Sequence, residues 1–498
     1  MVATVTDIFK RDILEDIFNS YQNINTPVGD SDRFYMAIGR AEEWDSDAQP
    51  PVPNSSMGEV IAFQESMQSM KLIPNVTYVV PRYNWTAGQL YEAWDNDYGS
   101  NTEVGPFGEI QFPYYVLTDE NNVYVCVQQG KSSTGTRNNS LYKPTDITGQ
   151  PFTVGDDGYV WRFLYTIGVV EARNYLTSAY MPVELILDSS EGGLPADELS
   201  TAKTINLEMR KAATPGQLLG IAVDSGGEGF LSAPTIEIIG VPLFGEQIVT
   251  AEAYAKVANG KIYEVVMKAD PASPFNFGAN YYTASITANG GGGANAKLRA
   301  ITTGYEGMGA DPIINLNSSA LMFNAKLSGD EQGDFNVTND FRQIGIVKNP
   351  IKDSAQYDNF LTSGNSIGDS AVSEETAFAY KRLLIDGANN NLVDDNITGD
   401  NIVYDGSGAR AIVDYWDKDE LYLYCHQTRE TGYQAFDGTG IVVEGGGGNA
   451  QIRTNSFGPN LREAEVNNFS GEVIYIDNRS PIKRDDEQTE DIKIVIDL

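Results

Sequence analysis

The chain has 498 residues, of which 41% are hydrophobic, and its 69 acidic against 34 basic residues give a formal net charge of −35. A chain of that length supplies roughly two to four domain-sized units. So large an acid excess, with no cluster of Lys and Arg to displace phosphate counterions, excludes the usual basis of duplex binding, and nucleic acid is not an expected partner.

The elements follow in chain order. The N-terminal "MVATVTDIFKRDILEDIF" has acids among its apolar residues, so no secretory signal is expected. Phe9, Ile13, Ile17 and Tyr21 recur at spacing four and predict a helix. In "SSMGEVIAFQESMQSM", Val60, Phe63, Met67 and Met70 form one stripe, which predicts a second helix with a packed face. No apolar run approaches the ~18–20 residues needed to span a bilayer, so no membrane partner is expected. Short segments rich in β-branched and aromatic residues then dominate: "VTYVV", "VYVCVQQ", "TIEII", "KIYEVVM", "ELYLYC" and "DIKIVIDL", with Gly, Pro, Asn and Asp between them. "SEETAFAYKRLLI" reads two ways. Ser373 can cap a helix with Glu374 and Glu375 in its first turn, while the end of the segment also reads as a strand.

The middle of the chain repeats itself. One copy runs "LGIAVDSGGEGFLSAPTIEIIG" and, after a short excursion, "TAEAYAKVA". A second runs from "KIYEVVM" to "ITANGGGGANAKLRAI", and a third from "ELYLYC" to "IVVEGGGGNAQIR". Each has a strand, a glycine near an aromatic, a second strand, glycine again, and a third strand. Asn259-Gly260 joins the first two copies and is a strong hairpin signal. The repeat settles how the glycine runs read. A P-loop needs G-x-x-x-x-G-K-[ST] between a strand and a helix. Here Lys297 follows alanine, Leu298 replaces the hydroxyl, and an alternating strand follows, so a turn that tolerates positive φ is expected.

Signals for chemistry are thin. Cys126 and Cys425 make neither a disulfide framework nor a zinc ribbon. The single histidine, His426, is a poor basis for general-base catalysis. In a strand Cys425 is expected to face a core and His426 to face the other way. "DDNITGDNIVYD" faintly resembles a calcium loop through Asp394, Asn396, Thr398, Gly399 and Asp405, but it lacks the bidentate Glu and the flanking helices, and an Asx-rich turn is the expectation. The acidic run Arg484 to Asp491 reads as a solvated loop, or as a docking surface for a basic partner. No nucleophile elbow or zinc-protease motif occurs.

Five stretches, in order, carry a resemblance: "IGRAEEW" (38–44), "VVPRYNW" (79–85), "GDDGYVWRFLYTI" (155–167), "DFRQIGIVKNPI" (340–351) and "SGEVIYIDNRSPI" (470–482), the last running on to "EQTEDIKIVI". Together they resemble the dimeric baseplate wedge subunit of T-even-type contractile-tailed bacteriophages, chiefly over 30–175 and from 465 onward. The resemblance implies a mainly β fold: a layered β-sandwich frame with a few helices in long loops. It implies a virion structural protein of the tail baseplate, a homodimer that joins neighbouring wedge subunits, with no catalytic residue or cofactor to carry over.

This chain is longer than the family pattern, and the extra length holds the repeats. The expected organisation is an N-terminal part of the frame over 1–202, an inserted Gly-rich β-repeat domain over 203–310, and a return to the frame over 311–352. A second inserted β-module over 353–463 and C-terminal frame strands over 464–498 complete it. The insertions are expected to reach a tail fibre or neighbouring wedge, or to act as receptor- or glycan-binding modules through Tyr281, Tyr282, Tyr433 and Phe436. Within the motifs, Trp44, Trp85, Tyr159 and Trp161 are expected as core or interface anchors. Arg40, Arg82, Arg342 and Arg479 are expected to pair with carboxylates inside the fold or at an interface.

Overall fold

A computed structural model describes residues 4–22, 32–105, 108–268, 276–329, 335, 340–352, 371–372, 375–399, 401–436, 440–455, 458–459, 461–462, 464–484 and 488–498. The protein is mainly β, built from several antiparallel sheets with few helices. It divides into two compact units. One comprises Met1–Leu14, Thr77–Met322 and Val495–Leu498, and the other Glu15–Val76 and Phe323–Ile494. Strands and helices are numbered along the chain.

In the second unit, a five-stranded sheet is ordered β17-β2-β1-β16-β27. Its strands are β1 (Phe34–Gly39), β2 (Met67–Leu72), β16 (Asp340–Lys348), β17 (Thr376–Phe378) and β27 (Glu472–Lys483). β1 pairs with β16 from Phe34↔Lys348 to Gly39↔Gln343, and β16 pairs with β27 from Asp340↔Lys483 to Lys348↔Glu472. Three of the five motif stretches therefore lie on adjacent strands, although hundreds of positions separate them in the chain. Tyr35, Ala37, Phe63, Met67, Met70 and Val347 are buried together in this unit.

Two other sheets carry the remaining motifs. β4 (Tyr115–Leu117), β5 (Asn122–Gln128), β6 (Phe152–Thr153) and β7 (Val160–Thr166) form a sheet ordered β4-β5-β7-β6. Helix α3 (Thr201–Lys211) packs Ile205 and Met209 on its Tyr124, Tyr159, Trp161 and Phe163. A further sheet, ordered β28-β15-β3-β8, takes β3 (Asn75–Pro81), β8 (Tyr180–Val183), β15 (Ala320–Ser328) and β28 (Thr489–Asp497).

The rest of the β structure is two six-stranded modules, one in each unit. The first uses β9 (Leu218–Glu228), β10 (Thr235–Pro242), β11 (Ala253–Ala258), β12 (Lys261–Met267), β13 (Tyr281–Asn289) and β14 (Ala294–Thr302), ordered β12-β11-β10-β13-β14-β9. The sheet curls until β9 meets β12: a Cβ on Gly226 would sit 2.3 Å from the Ile262 carbonyl oxygen. The second uses β18 (Lys381–Leu392), β19 (Ile402–Asp405), β20 (Arg410–Asp417), β21 (Tyr422–His426), β22 (Ile441–Val443) and β23 (Gly448–Ile452). Here a ladder between β18 and β21, from Lys381↔Cys425 to Leu384↔Tyr422, closes the ring. Leu383, Val413, Leu423, Cys425, Val443 and Ile452 are buried in its core. The short strands β24 (Thr454–Asn455), β25 (Gly458–Pro459) and β26 (Leu461–Arg462) follow, β26 pairing with β18.

Counted one to six along the chain, both modules have the neighbour order 1-4-3-2-5-6, with 6 returning to 1. Adding three to every strand leaves that order unchanged, so each module is two three-stranded halves related by a pseudo-two-fold axis. The first two repeat copies in the sequence are the two halves of the first module. The third copy, β21 to β23, is the second half of the second module. Its first half, β18 to β20, escaped the sequence comparison because it lacks the glycine run.

The turns explain the glycines. Gly290, Gly291 and Gly292 have φ of 86°, 68° and 81°, and they join strands five and six of the first module. Gly445, Gly446 and Gly448, with φ of 72°, 88° and 90°, do the same in the second. A Cβ on Gly293 would strike the buried Phe230 ring at 2.4 Å, so the run wraps a side chain of its own module. Asn259 and Gly260, both at positive φ, turn β11 into β12 as a hairpin requires.

Three expectations change and one ambiguity resolves. The second predicted helix stops early: α2 (Met57–Glu65) is capped by Ser56, and Met67 and Met70 lie on β2. Both methionines are buried beside Phe63, so the apolar stripe marks a real core even though half of it is strand. Helix α1 (Asp7–Gln22) forms, yet it buries Leu14 and Tyr21 and leaves Phe9 57% and Ile13 38% exposed. "SEETAFAYKRLLI" resolves to strands β17 and β18. Ser373 and Glu374, the cap of the helical alternative, lie outside the described residues. In the acidic run, Arg484 and Glu490 are not solvated: both are buried, with Nε 3.0 Å from the Glu490 carboxylate and Nη1 and Nη2 donating to the carbonyls of Phe335 and Gly329. Asp485, Asp486 and Glu487 lie outside the described residues.

Candidate interaction site

Four of the eight candidate residues come together in the second unit. Arg40, just past β1, adopts φ 62° and lays its guanidinium 3.8 Å from the centre of the Trp44 ring. Trp44 donates its indole N–H to the Arg479 carbonyl at 3.0 Å. Arg342, on β16, is buried, and its Nε and Nη2 fork onto Asp47 at 2.9–3.2 Å. Its Nη1 donates to the Ala41 carbonyl at 2.6 Å and lies 3.1 Å from Asp340. Arg479 is half-exposed and pairs with Asp477 beside it on β27. A fork onto a carboxylate fixes geometry as well as charge, so Arg342 pins the 41–47 loop to the sheet.

The other four lie in the first unit and are tied into it. Arg82 donates to Asn84 Oδ1 and to the Thr177 carbonyl. Trp85 donates to Ser140 Oγ at 3.2 Å. Tyr159 donates its hydroxyl to the Asn138 carbonyl and stacks on Trp161, the centroids 5.8 Å apart. Trp161 is 1% exposed and its indole nitrogen has no hydrogen-bond partner among the described residues.

The sequence reading missed a charged cluster beside Arg40. Cys425 does point into the barrel core and His426 the other way, but that other side is buried too, with His426 3% exposed. Its Nδ1 lies 2.9 Å from Asp414, at the register shift of the adjacent strand β20, and its Nε2 lies 3.3 Å from Glu42 without hydrogen-bond alignment. Burial opposes the imidazolium, but Asp414 and Glu42 outweigh it and hold His426 protonated well above its ordinary range. Burial raises Glu42, and the facing His426 outweighs that, holding the carboxyl down at about 2. Asp414, fully enclosed, is pushed up by burial against the pull of His426. Glu42 is part of "IGRAEEW", so the cluster fastens the second module to a motif of the five-stranded sheet. Tyr433 and Arg429 add to this joint by bonding Glu65 on α2. The first module has its own tie: Arg299 forks onto Asp95 at 2.7 and 2.8 Å and lies 3.2 Å from Asp97. No sequence spacing signals either joint, because both partners come from distant segments.

The aromatics considered for glycan contact divide. Tyr281 and Phe436 are buried, so they offer no stacking face. Tyr282 and Tyr305 are 56% and 60% exposed and meet edge to face, and Tyr433, 54% exposed, meets Phe469 the same way. The residues of the calcium-like segment turn apart. Asp394 accepts from the Trp416 indole, Asn396 donates to the Gly446 carbonyl, and Asp405 accepts from Ser407 and Ala409 in the next turn. Among the described residues no group of three or more His, Cys, Asp or Glu is placed to hold a metal ion, and no helix is long and apolar enough to cross a membrane. No protein-family model matches this chain, and no curated protein matches it.

Proposed function

We infer that this chain is a structural subunit of a contractile phage tail baseplate, joining neighbouring subunits within a wedge. One observation carries the reading. The stretches 38–44, 340–351 and 470–482, each of which resembles the wedge-subunit pattern, are adjacent strands and edges of a single sheet. Their Arg and Trp residues interlock there, as parts of one frame would. The six-stranded modules, over 218–302 and 381–452, lie between strands of the frame, while β17, within the second expected insertion, joins the five-stranded sheet by pairing with β2. The role is non-enzymatic, the protein works as a homodimer in the virion, and its partners are other wedge subunits.

The test is location. Electron microscopy of tails assembled with a tagged chain should place six equivalent densities, single or paired, around the hub. A protein that stays monomeric in light scattering and never co-purifies with tail components would contradict the reading. The alternative is an adhesin role for the inserted modules, favoured by the exposed Tyr282–Tyr305 pair. A glycan array separates the two, since a wedge subunit without adhesin function gives no specific binding.

A further inference from the structure

The two modules share one strand order but are not equally closed. In the second, β19 is laddered on both sides: Ile402, Val403 and Tyr404 pair with Ile412, Ala411 and Arg410 of β20, and Val403 to Asp405 pair with β22. In the first, the equivalent β10 is laddered to β13 along its whole length, from Thr235↔Asn289 to Pro242↔Tyr281. Its other side meets β11 at a single pair, Thr235↔Tyr254. The connection after β10 does not fill the gap. Leu243 and Val249 donate their N–H groups to the carbonyls of Asn280 and Ala279, just before β13. The edge from Ile236 to Val241 thus has no backbone partner among the described residues except β13.

An open edge is a template for another strand, and proteins normally guard it with charge, proline or a bulge. Here the guards stand at the end: the bulge and the proline come at Val241/Pro242. The one charge inside the edge, Glu237, is held by Thr287 and Asn289 of β13. The side chains around the gap are apolar and uncovered: Ile239 is 60% exposed, Val241 52%, Phe244 94%, Val249 58% and Tyr254 47%. Electrostatics selects the occupant. β10 and its connection to β11 have no Lys or Arg and carry Glu237, Glu246 and Glu252, the last paired with Lys268, while Lys256 of β11 is paired with Glu264. A second copy would bring the same acidic edge and a net charge of −35, and like charges facing each other disfavour that pairing.

We propose that the β10 edge of the first module is a strand-addition site for an extended, β-branched segment with basic residues, supplied by a different protein. Main-chain hydrogen bonds to 236–241 give the affinity, Ile239, Val241 and Phe244 take its apolar side chains, and the surrounding acids select its charge. This site does not depend on the baseplate reading.

The probe is a synthetic nine-residue peptide alternating Val and Lys, with a Val–Glu peptide as its counterpart. Binding is followed by titration and by hydrogen exchange of the full chain. The Val–Lys peptide should slow exchange of amides within 236–241 at least tenfold, and the Val–Glu peptide should not. A double variant, Ile239→Glu with Val241→Glu, separates docking from general attraction. Docking predicts at least tenfold weaker binding despite the added negative charge, whereas simple attraction predicts tighter binding. Both positions are exposed, so the fold should survive; Ile239→Thr with Val241→Thr, which keeps β-branching, serves if it does not, and should weaken binding severalfold. The proposal is overturned if protection appears elsewhere or both peptides bind alike. It is also overturned if the free protein self-associates with protection at 236–241, which would make a second copy the occupant.

Discussion

The two six-stranded modules are a natural experiment in closing one topology. The second has a short β19–β20 turn, ladders on every side and a filled core. The first has a long excursion between its second and third strands, and its β10 is laddered on one side only for most of its length. Identical strand order therefore does not dictate an identical surface. The length of one connection decides whether a strand is sealed or left open, and surface connections are where added residues cost the fold least.

The largest expected effect is in the closed core. Leu423 is fully buried, so Leu423→Ala should cost about 2–5 kcal/mol in urea unfolding, the usual range for a buried leucine. Ile239→Ala, on the open strand β10 of the first module, should cost less than ~1 kcal/mol because its side chain is mostly in water already. Similar costs at the two sites would mean that Ile239 is covered and the β10 edge is not open.

Next comes the joint of the second module. Glu42→Gln removes one counter-charge from the buried His426 and should destabilise by about 3 kcal/mol, the scale for breaking a buried pair. The pH dependence has a definite sign. Glu42, held near 2 in the fold against an ordinary 4.5, contributes stability above 4.5 that is lost as pH falls toward 2. His426, raised in the fold, contributes stability that is full below its ordinary 6.5 and lost as pH rises through its folded value. Urea midpoints from pH 2 to 9 should therefore fall at both ends, and Glu42→Gln should flatten the acid limb. An unchanged acid limb would remove Glu42 from the joint.

Smaller effects belong to the turns. Gly291→Ala meets both a φ of 68° and a Ser232 carbonyl oxygen 2.5 Å from the new Cβ. It should cost about 1–3 kcal/mol. Gly446→Ala, at φ 88° with only the Asn396 amide 3.3 Å away, should cost about 1 kcal/mol. A reversed order would show that the glycine run of the first module is not packed on its own strands.

Much of this was legible in the sequence. Alternating β-branched strands, the Asn259-Gly260 hairpin and the repeated glycine turns are local signals, and local physics produces them. The exposed face of α1 and the β2 half of the second predicted helix were not legible, because periodicity reports an apolar stripe and not the element or the partner that uses it. The convergence of Arg40, Trp44, Arg342 and Arg479, and the Glu42–His426–Asp414 cluster, depends on strand order across hundreds of residues, which no window of sequence contains. The open edge was hidden for a related reason: the sequence gives ten residues between β10 and β11, but not where they go.

Hydrogen exchange of the free chain, read strand by strand, bears most directly on the difference between the modules. In β19, laddered on both sides, the amides of Val403 and Tyr404 should all be slow. In β10, amides directed at β13 should be slow, and the alternate ones between Ile236 and Val241 should exchange at rates near those of the loops. Uniform slow exchange along β10, matching β19, would show that the first module is closed and would contradict the account.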